Sequence, residues 1–246
     1  MSGGGAMRTQ EIEYSYEDLR LIGEFAVDDA RDDGPRPGVL VCHGGGGLTD
    51  HTRDWTRRLA AAGYAAFALD YYGGGGRSDT ERSGDRYAGL LATPERQRAL
   101  ARAGLDVLLA RPEVASGQVA AIGFCFGGTI ALELARAGAD LRAVVGFHAG
   151  LATRQPARPG AITGRVLVCL GAEDPIVPAD QRLAFEQEMR TAEADWELRL
   201  YGGAEHGFTD PITDGIIPGV RYDQRTADRA WTAMINLFTE VFETRP

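Results

Sequence analysis

The stretch IGFCFGG, residues 122–128, decides how this chain is read. It puts a cysteine at the end of an apolar run, QVAAIGFC (118–125), and just ahead of a helical pattern, GGTIALELARAG (127–138). Gly123, Gly127 and Gly128 clear side-chain bulk from around Cys125, and glycine also tolerates backbone conformations that other residues resist. A cysteine that merely fills a core needs no such clearing. Gly123-Phe124-Cys125-Phe126-Gly127 matches the strand–nucleophile–helix pattern G-x-S-x-G with sulfur in place of oxygen. In that pattern the nucleophile stands on a sharp turn. The following helix aims its N-terminus at the thiol, which favours thiolate, and the amide of Phe126 is offered to an oxyanion.

Outward from this turn, apolar strands alternate with helices. GVLVC (38–42), YAAFALDYY (64–72), LRAVVGFHAG (141–150), RVLVCLGAED (165–174) and WELRLYGG (196–203) read as strands. Helices are expected through DWTRRLAAAG, TPERQRALARAGLDVLLARPE, PADQRLAFEQEMRTA and DRAWTAMINLFTEVF. In the second of these, Thr93 is the expected cap, Pro94 the first turn, and Leu100, Ala103, Val107 and Leu108 the apolar stripe. Residues 11–27 contain two partly alternating stretches around SYED, the signature of a hairpin or edge pair. GGGGRSDTERSGDRYAGLLA (73–92) reads as a polar, glycine-rich excursion over one face. Recurrent strand–helix alternation implies a mostly parallel central sheet with helices on both faces, preceded by an N-terminal antiparallel hairpin. Ligand sites in such sheets lie outside the carboxyl ends of the strands. His43, Cys125, Asp174 and His206 all fall at strand ends.

GAEDPIVP (171–178) closes one strand with two carboxylates, and GGAEHGF (202–208) follows the next with a histidine. The order Cys125, Asp174, His206 is the nucleophile–acid–histidine order of the α/β-hydrolase fold. His206 is placed to manage the thiol proton, and Asp174 to fix the tautomer and orientation of His206. Glu173 is the rival for the acid role. Asp174 is preferred because it stands directly before the proline turn.

With these residues in view, the chain resembles the dienelactone hydrolase family, cysteine enzymes on the α/β-hydrolase fold. GFCFGG, GAEDPIVP and AEHGF carry the resemblance, supported by VLVCHGGGGLTDHTRDWTRRLAAAGYAAFALDYY near the amino end, and it spans nearly the whole chain after the leader. It implies a hydrolase acting on activated esters or lactones through a covalent cysteine intermediate, with phosphotriesters as related substrates. Two departures bear on substrate. Family members that open dienelactones carry a glutamate in the loop after the first core strand, where this chain has Gly44, so proton management falls mainly to His206. They also use an arginine just after the histidine to hold a substrate carboxylate. Here the sequence is HGFTDP, and Asp210 would repel an anion. A neutral ester, lactone or phosphotriester is therefore the expected substrate.

HGGGG (43–47) resembles the HGGG-type loop of esterases, which makes Gly44 or Gly45 the expected second oxyanion donor beside Phe126. One such donor contributes roughly 2.7–4 kcal/mol of transition-state stabilisation. His43 is a candidate to orient this loop, and His148, Tyr72 and Phe208 are candidates to line the pocket. Arg77 and Arg86 are further candidates to face it. The second glycine tract lacks the GK[ST] ending and the G-x-G-x-x-G context of nucleotide loops.

The 246 residues suit one domain, 7–246, after a leader, MSGGGA (1–6), that reads as a cloning remnant. A net charge of −9 argues against nucleic acid and anionic membrane as partners. No stretch reaches the roughly 18 apolar residues of a membrane span. Cys42 and Cys169 end apolar runs and read as buried strand residues, and three unpaired thiols fit a cytoplasmic compartment. The proposed chemistry requires no metal or organic cofactor. The alternative is a redox-sensing or ligand-binding protein on the same fold, for which a reactive thiol would also serve.

Overall fold

The alternation at the amino end forms a hairpin longer than the sequence suggests. In a computed structural model that describes residues 7–30, 34–75 and 80–243, β1 (Met7–Tyr16) and β2 (Leu19–Asp28) run antiparallel, from Met7 opposite Asp28 to Tyr16 opposite Leu19. The leader 1–6 lies outside the described residues. β2 then pairs antiparallel with β4 (Ala65–Leu69). Gly23 is needed on β2 because a Cβ there would stand 2.4 Å from the ring of Phe67.

Eight strands hydrogen-bond in the order β1-β2-β4-β3-β5-β6-β7-β8. β3 spans Arg36–Cys42, β5 Val114–Phe124, β6 Ala143–Phe147, β7 Arg165–Gly171 and β8 Trp196–Tyr201. β3 with β4, β6 with β7, and β7 with β8 are parallel. The sheet is thus mostly parallel behind an antiparallel hairpin, and its central strands are buried along almost their whole length. The chain falls into two compact units that divide at Ala121, inside β5.

In the first unit, α1 (Asp50–Ala61) lays Trp55, Leu59 and Ala60 against β2 and β4. α3 (Pro94–Leu109) packs on β3 and β4, and α2 (Thr80–Leu91) packs on α3. α2 lies within the segment read as a polar, glycine-rich excursion, which contains a helix that the sequence reading did not mark. Two further corrections concern α3. Thr93 does occupy the cap position, but its hydroxyl donates backwards to the carbonyls of Gly89 (2.9 Å) and Leu90 (3.3 Å), closing the end of α2 rather than opening α3. The buried stripe is Leu100, Ala101, Gly104, Leu105 and Leu108, whereas Ala103 and Val107 are only half-buried. Gly104 turns this face inward because it sits so close to Leu69 that a Cβ would be 2.8 Å from that side chain.

The strand expected over 64–72 stops at Leu69, because Asp70 draws the next few residues into a turn. Its carboxylate is buried and accepts the amides of Tyr72 (2.9 Å), Gly73 (2.8 Å), Gly75 (2.9 Å) and Ile22 (3.1 Å). Amide groups converging on one carboxylate form an anion-binding concavity made by the chain for its own side chain. The strands expected over 141–150 and 165–174 likewise end earlier, at Phe147 and Gly171, which leaves His148 and Asp174 on loops.

In the second unit, α4 (Phe126–Arg136) and α6 (Gln224–Glu243) pack on β6. Phe185 of α5 (Ala179–Thr191) meets Trp196 of β8 edge to face, with ring centroids 6.1 Å apart. The buried guanidinium of Arg136 bonds both carboxylate oxygens of Glu188 at 2.8 Å, Glu133 at 3.0 Å and the carbonyl of Leu151 at 2.8 Å. A buried charge is tolerable only when bonded in this way, and here it ties the segment after β6 to α4 and α5. Among the described residues no helix is long and apolar enough to cross a membrane.

Removing the Asp70 carboxylate strands several buried amide donors at once. Each costs about 1–3 kcal/mol when no water replaces the acceptor. Asp70→Ala is expected to lose on the order of 3 kcal/mol, a fall of roughly 6–12 °C in melting temperature for a chain of this size. A fall below about 2 °C in a thermal scan would contradict this reading of the turn.

Candidate active site

Cys125 lies between β5 and α4 with φ 52° and ψ −119°, a conformation that L-residues avoid. Its own N–H donates to the Phe147 carbonyl at 2.9 Å, anchoring the turn to the end of β6. The glycines around it answer to contacts. A Cβ on Gly123 would lie 2.1 Å from the carbonyl oxygen of Gly127, and one on Gly128 would lie 2.4 Å from Ala149 Cβ. The turn therefore closes only with glycine at these two positions. Cys125 is half-buried, while Cys42 and Cys169 are fully enclosed strand residues, as their sequence context suggests. Burial pushes both of those thiols up, that of Cys169 to about 12, and keeps them protonated.

Asp174 and His206 come from the loops after β7 and β8. These loops are stitched together by Glu173 N–H to Ala204 C=O (2.9 Å) and Ala172 N–H to Tyr201 C=O (2.8 Å). Gly171 lets them approach, since a Cβ there would meet the Ala204 carbonyl oxygen at 2.3 Å. His206 is further fixed by Gly219 and Arg221: it donates its N–H to the Gly219 carbonyl and accepts from the Arg221 amide, both at 3.0 Å. Asp174 is buried. Its Oδ1 accepts the amides of Ile176 (2.8 Å) and Val177 (3.3 Å), and its Oδ2 accepts Nδ1–H of His206 at 2.8 Å. Asp174 rather than Glu173 thus meets the histidine; the Glu173 side chain is exposed.

The bond to Asp174 fixes the proton of neutral His206 on Nδ1 and leaves Nε2 as the free ring position, where no partner of ordinary hydrogen-bond geometry is found among the described residues. The side chain of Cys125 is nonetheless close enough to act on the ring. Burial opposes charge on His206, but the Asp174 carboxylate and the Cys125 thiol outweigh it and push its pKa up to about 10. The structure therefore brings Cys125, Asp174 and His206 together and favours an imidazolium at neutral pH.

The expected pocket residues separate into two groups, one in each unit. Beside His206 lies His148, its ring edge-on at 5.0 Å between centroids, and Phe208, at 5.1 Å from His148. His148 Nε2 is 2.8 Å from Thr209 Oγ1. In the first unit His43 stacks on Tyr71 at 3.6 Å and meets Tyr72 edge-on at 4.8 Å. Nδ1–H of His43 donates to the carbonyl of the adjacent Gly44 at 2.7 Å, and the glycine loop turns back through Gly47 N–H to Gly44 C=O. Burial pushes His43 down to about 4, so it is neutral. Tyr72 and Arg86 line a separate cleft of about 370 Å³ with Leu19, Tyr71, Leu90 and Arg96. Arg77 lies outside the described residues. Asp210 caps its own turn by accepting the Ile212 amide at 2.9 Å. Thr209 was not legible as a site residue, because nothing local in HGFTDP signals a partner 61 residues earlier.

The architecture is that of an α/β hydrolase, and comparison with known proteins narrows the class. The model of the dienelactone hydrolase family matches residues 25–242, and the chain belongs to that family. A solved structure named m3DLH is similar over 97% of this chain and 100% of its own, at 49% identity and a TM-score of 0.90. A second, described as the dienelactone hydrolase-like promiscuous phosphotriesterase P91 from metagenomic libraries, is 43% identical over the same shares, at a TM-score of 0.89. A Bradyrhizobium protein named "Probable 2-oxo-3-(5-oxofuran-2-ylidene)propanoate lactonase" is 26% identical over 226 residues, 86% of this chain and 90% of that protein.

The raised pKa of His206 links stability to pH. A group whose folded pKa lies above its unfolded value of 6.5 adds its full stabilisation below about pH 6.5 and loses it as pH climbs through about 10. The stability advantage of wild type over His206→Gln should be largest near pH 6 and shrink steadily toward about pH 10, read from urea midpoints. An advantage that is flat or grows with pH would contradict the assignment.

Proposed function

We propose that the chain is a cysteine hydrolase that cleaves activated, neutral esters or lactones. The observation that carries this reading is the single cluster formed by a half-buried thiol on a strained turn, a buried imidazole whose pKa is pushed up to about 10, and a carboxylate on its far nitrogen. Family membership and the lactonase name of one relative support the reaction class.

In the resting pair the proton sits on His206 Nε2 and Cys125 carries the negative charge. The sulfur attacks the acyl carbon, and the carbonyl oxygen takes on charge that the amide of Phe126, first residue of α4, stabilises together with the helix N-terminus. Collapse breaks the bond to the alkoxide, which leaves with the His206 proton. The acyl group is then a thioester on Cys125. Water attacks it, giving one proton back to His206, and the thiolate departs with the acid released. Asp174 keeps the ring oriented throughout and stabilises its charged form.

A neutral substrate accords with the missing arginine and with Asp210. The same sulfur displacing an aryloxide from a phosphotriester is the second reading, and it is favoured by the 43% identity to P91, a promiscuous phosphotriesterase by name. The free thiols of Cys42, Cys125 and Cys169 fit a reducing, cytoplasmic compartment.

Cys125→Ala is expected to abolish the burst and to cut kcat on p-nitrophenyl acetate and on a chromogenic triester by more than about 10³-fold. Iodoacetamide should modify wild type at Cys125 and spare Cys42 and Cys169, which are enclosed. Turnover unchanged in Cys125→Ala would contradict the whole reading.

A further inference from the structure

A buried imidazole beside His206 has no part in the reaction above, and its contacts give it one. His148 follows the last residue of β6 with φ 40°, and it is 2% exposed. Its own N–H donates to the Cys169 carbonyl of β7 at 2.8 Å. The residue before it, Phe147, supplies the carbonyl that holds the Cys125 N–H at 2.9 Å. Its side chain reaches the other way, to Thr209 Oγ1 at 2.8 Å, and its ring packs edge-on against His206. Thr209 is itself 3% exposed and lies three residues after His206. We propose that His148 is a positioning residue that couples the turn bearing Cys125 to the loop bearing His206, through its hydrogen bond to Thr209 and its ring contact with His206.

The physical need is clear from the other anchors of His206. Asp174 holds only Nδ1, and one hydrogen bond leaves a ring free to pivot about that contact. A swing of the ring moves Nε2, the atom that must stay near sulfur. The backbone bonds to Gly219 and Arg221 fix the Cα but not the ring plane. His148 blocks the pivot from one side. A phenylalanine could fill the same volume among Phe124, Phe147 and Phe208, and burying an imidazole there costs desolvation. What the imidazole adds is a directional bond that sets the distance between the end of β6 and the 206–209 loop. Misplacement of a catalytic group by about 1 Å can lower rate about 10²-fold, so modest loosening is visible in kcat.

This inference rests on the Cys125–His206–Asp174 reading, and the experiment separates the two. His148→Phe keeps a ring and loses the bond; Thr209→Val keeps the shape of threonine and loses the bond; His148→Gln retains an amide that reaches Thr209. Kinetics on p-nitrophenyl acetate are normalised to active sites by burst amplitude, beside Cys125→Ala. We expect His148→Phe and Thr209→Val each to lower kcat per site about ten-fold with KM changed less than about two-fold. The pH profile of kcat should shift in both, His148→Gln, which regains a bond but not the ring contact, should recover part of kcat, and the double variant should be no worse than either single one. If His148→Phe does not fold, Thr209→Val and His148→Gln carry the comparison. Per-site kcat and its pH profile like wild type in Thr209→Val, or additive losses in the double variant, would overturn the proposal while Cys125→Ala remains inactive. Activity surviving in Cys125→Ala would overturn the underlying reading and this inference with it.

Discussion

The turn at Cys125 is the constraint from which the rest of the site is built. Holding a non-glycine residue at φ 52° and ψ −119° costs on the order of 1–3 kcal/mol and persists only where the surroundings over-determine it. Here they do so from three sides. β5 leads in through Gly123, which touches the Gly127 peptide; α4 leads out through Gly128, pressed against Ala149; and Phe147 C=O holds the cysteine amide. The strained turn takes Cys125 out of the strand and sets it at the N-terminus of α4.

In the same unit as this sulfur, the chain sets an imidazole and a carboxylate. The loops after β7 and β8 are joined by backbone bonds before any side chain is considered. That stitching delivers Asp174 to the far nitrogen of His206, and the buried carboxylate, itself satisfied by two amides, makes charge on the ring favourable despite burial. His43 gives an instructive contrast. It is also a buried histidine at a strand end, but its Nδ1 meets a carbonyl instead of a carboxylate, and burial pushes it down to about 4. Two imidazoles of one chain are thus set to opposite charge states by what lies around them, a carboxylate and a sulfur beside His206 and burial against a carbonyl for His43.

Much of this was legible in the sequence because the signals were local. GFCFGG announces a crowded turn, the order of Cys125, Asp174 and His206 follows from three strand ends, and alternation over 11–27 marks the hairpin. The failures share a physical origin in contacts made at a distance. YAAFALDYY reads as one long strand because its apolar run hides Asp70, whose amide partners include Ile22, 48 residues away. The face of α3 is rotated by the close approach of Gly104 to Leu69, which periodicity alone does not encode. α2 was hidden by its polar, glycine-containing composition. The contact of Thr209 with His148 was invisible because the two lie 61 residues apart in sequence.

The central claim is that Cys125 and His206 share a proton in the resting protein, with the proton on the ring. The most direct measurement is the ¹⁵N spectrum of the His206 side chain across neutral pH, in wild type and in Cys125→Ala. The account predicts two protonated ring nitrogens in wild type up to at least about pH 8, and a neutral Nδ1–H tautomer at that pH once the sulfur is removed. A wild-type ring that loses its Nε2 proton near the ordinary histidine value of about 6.5 would contradict it.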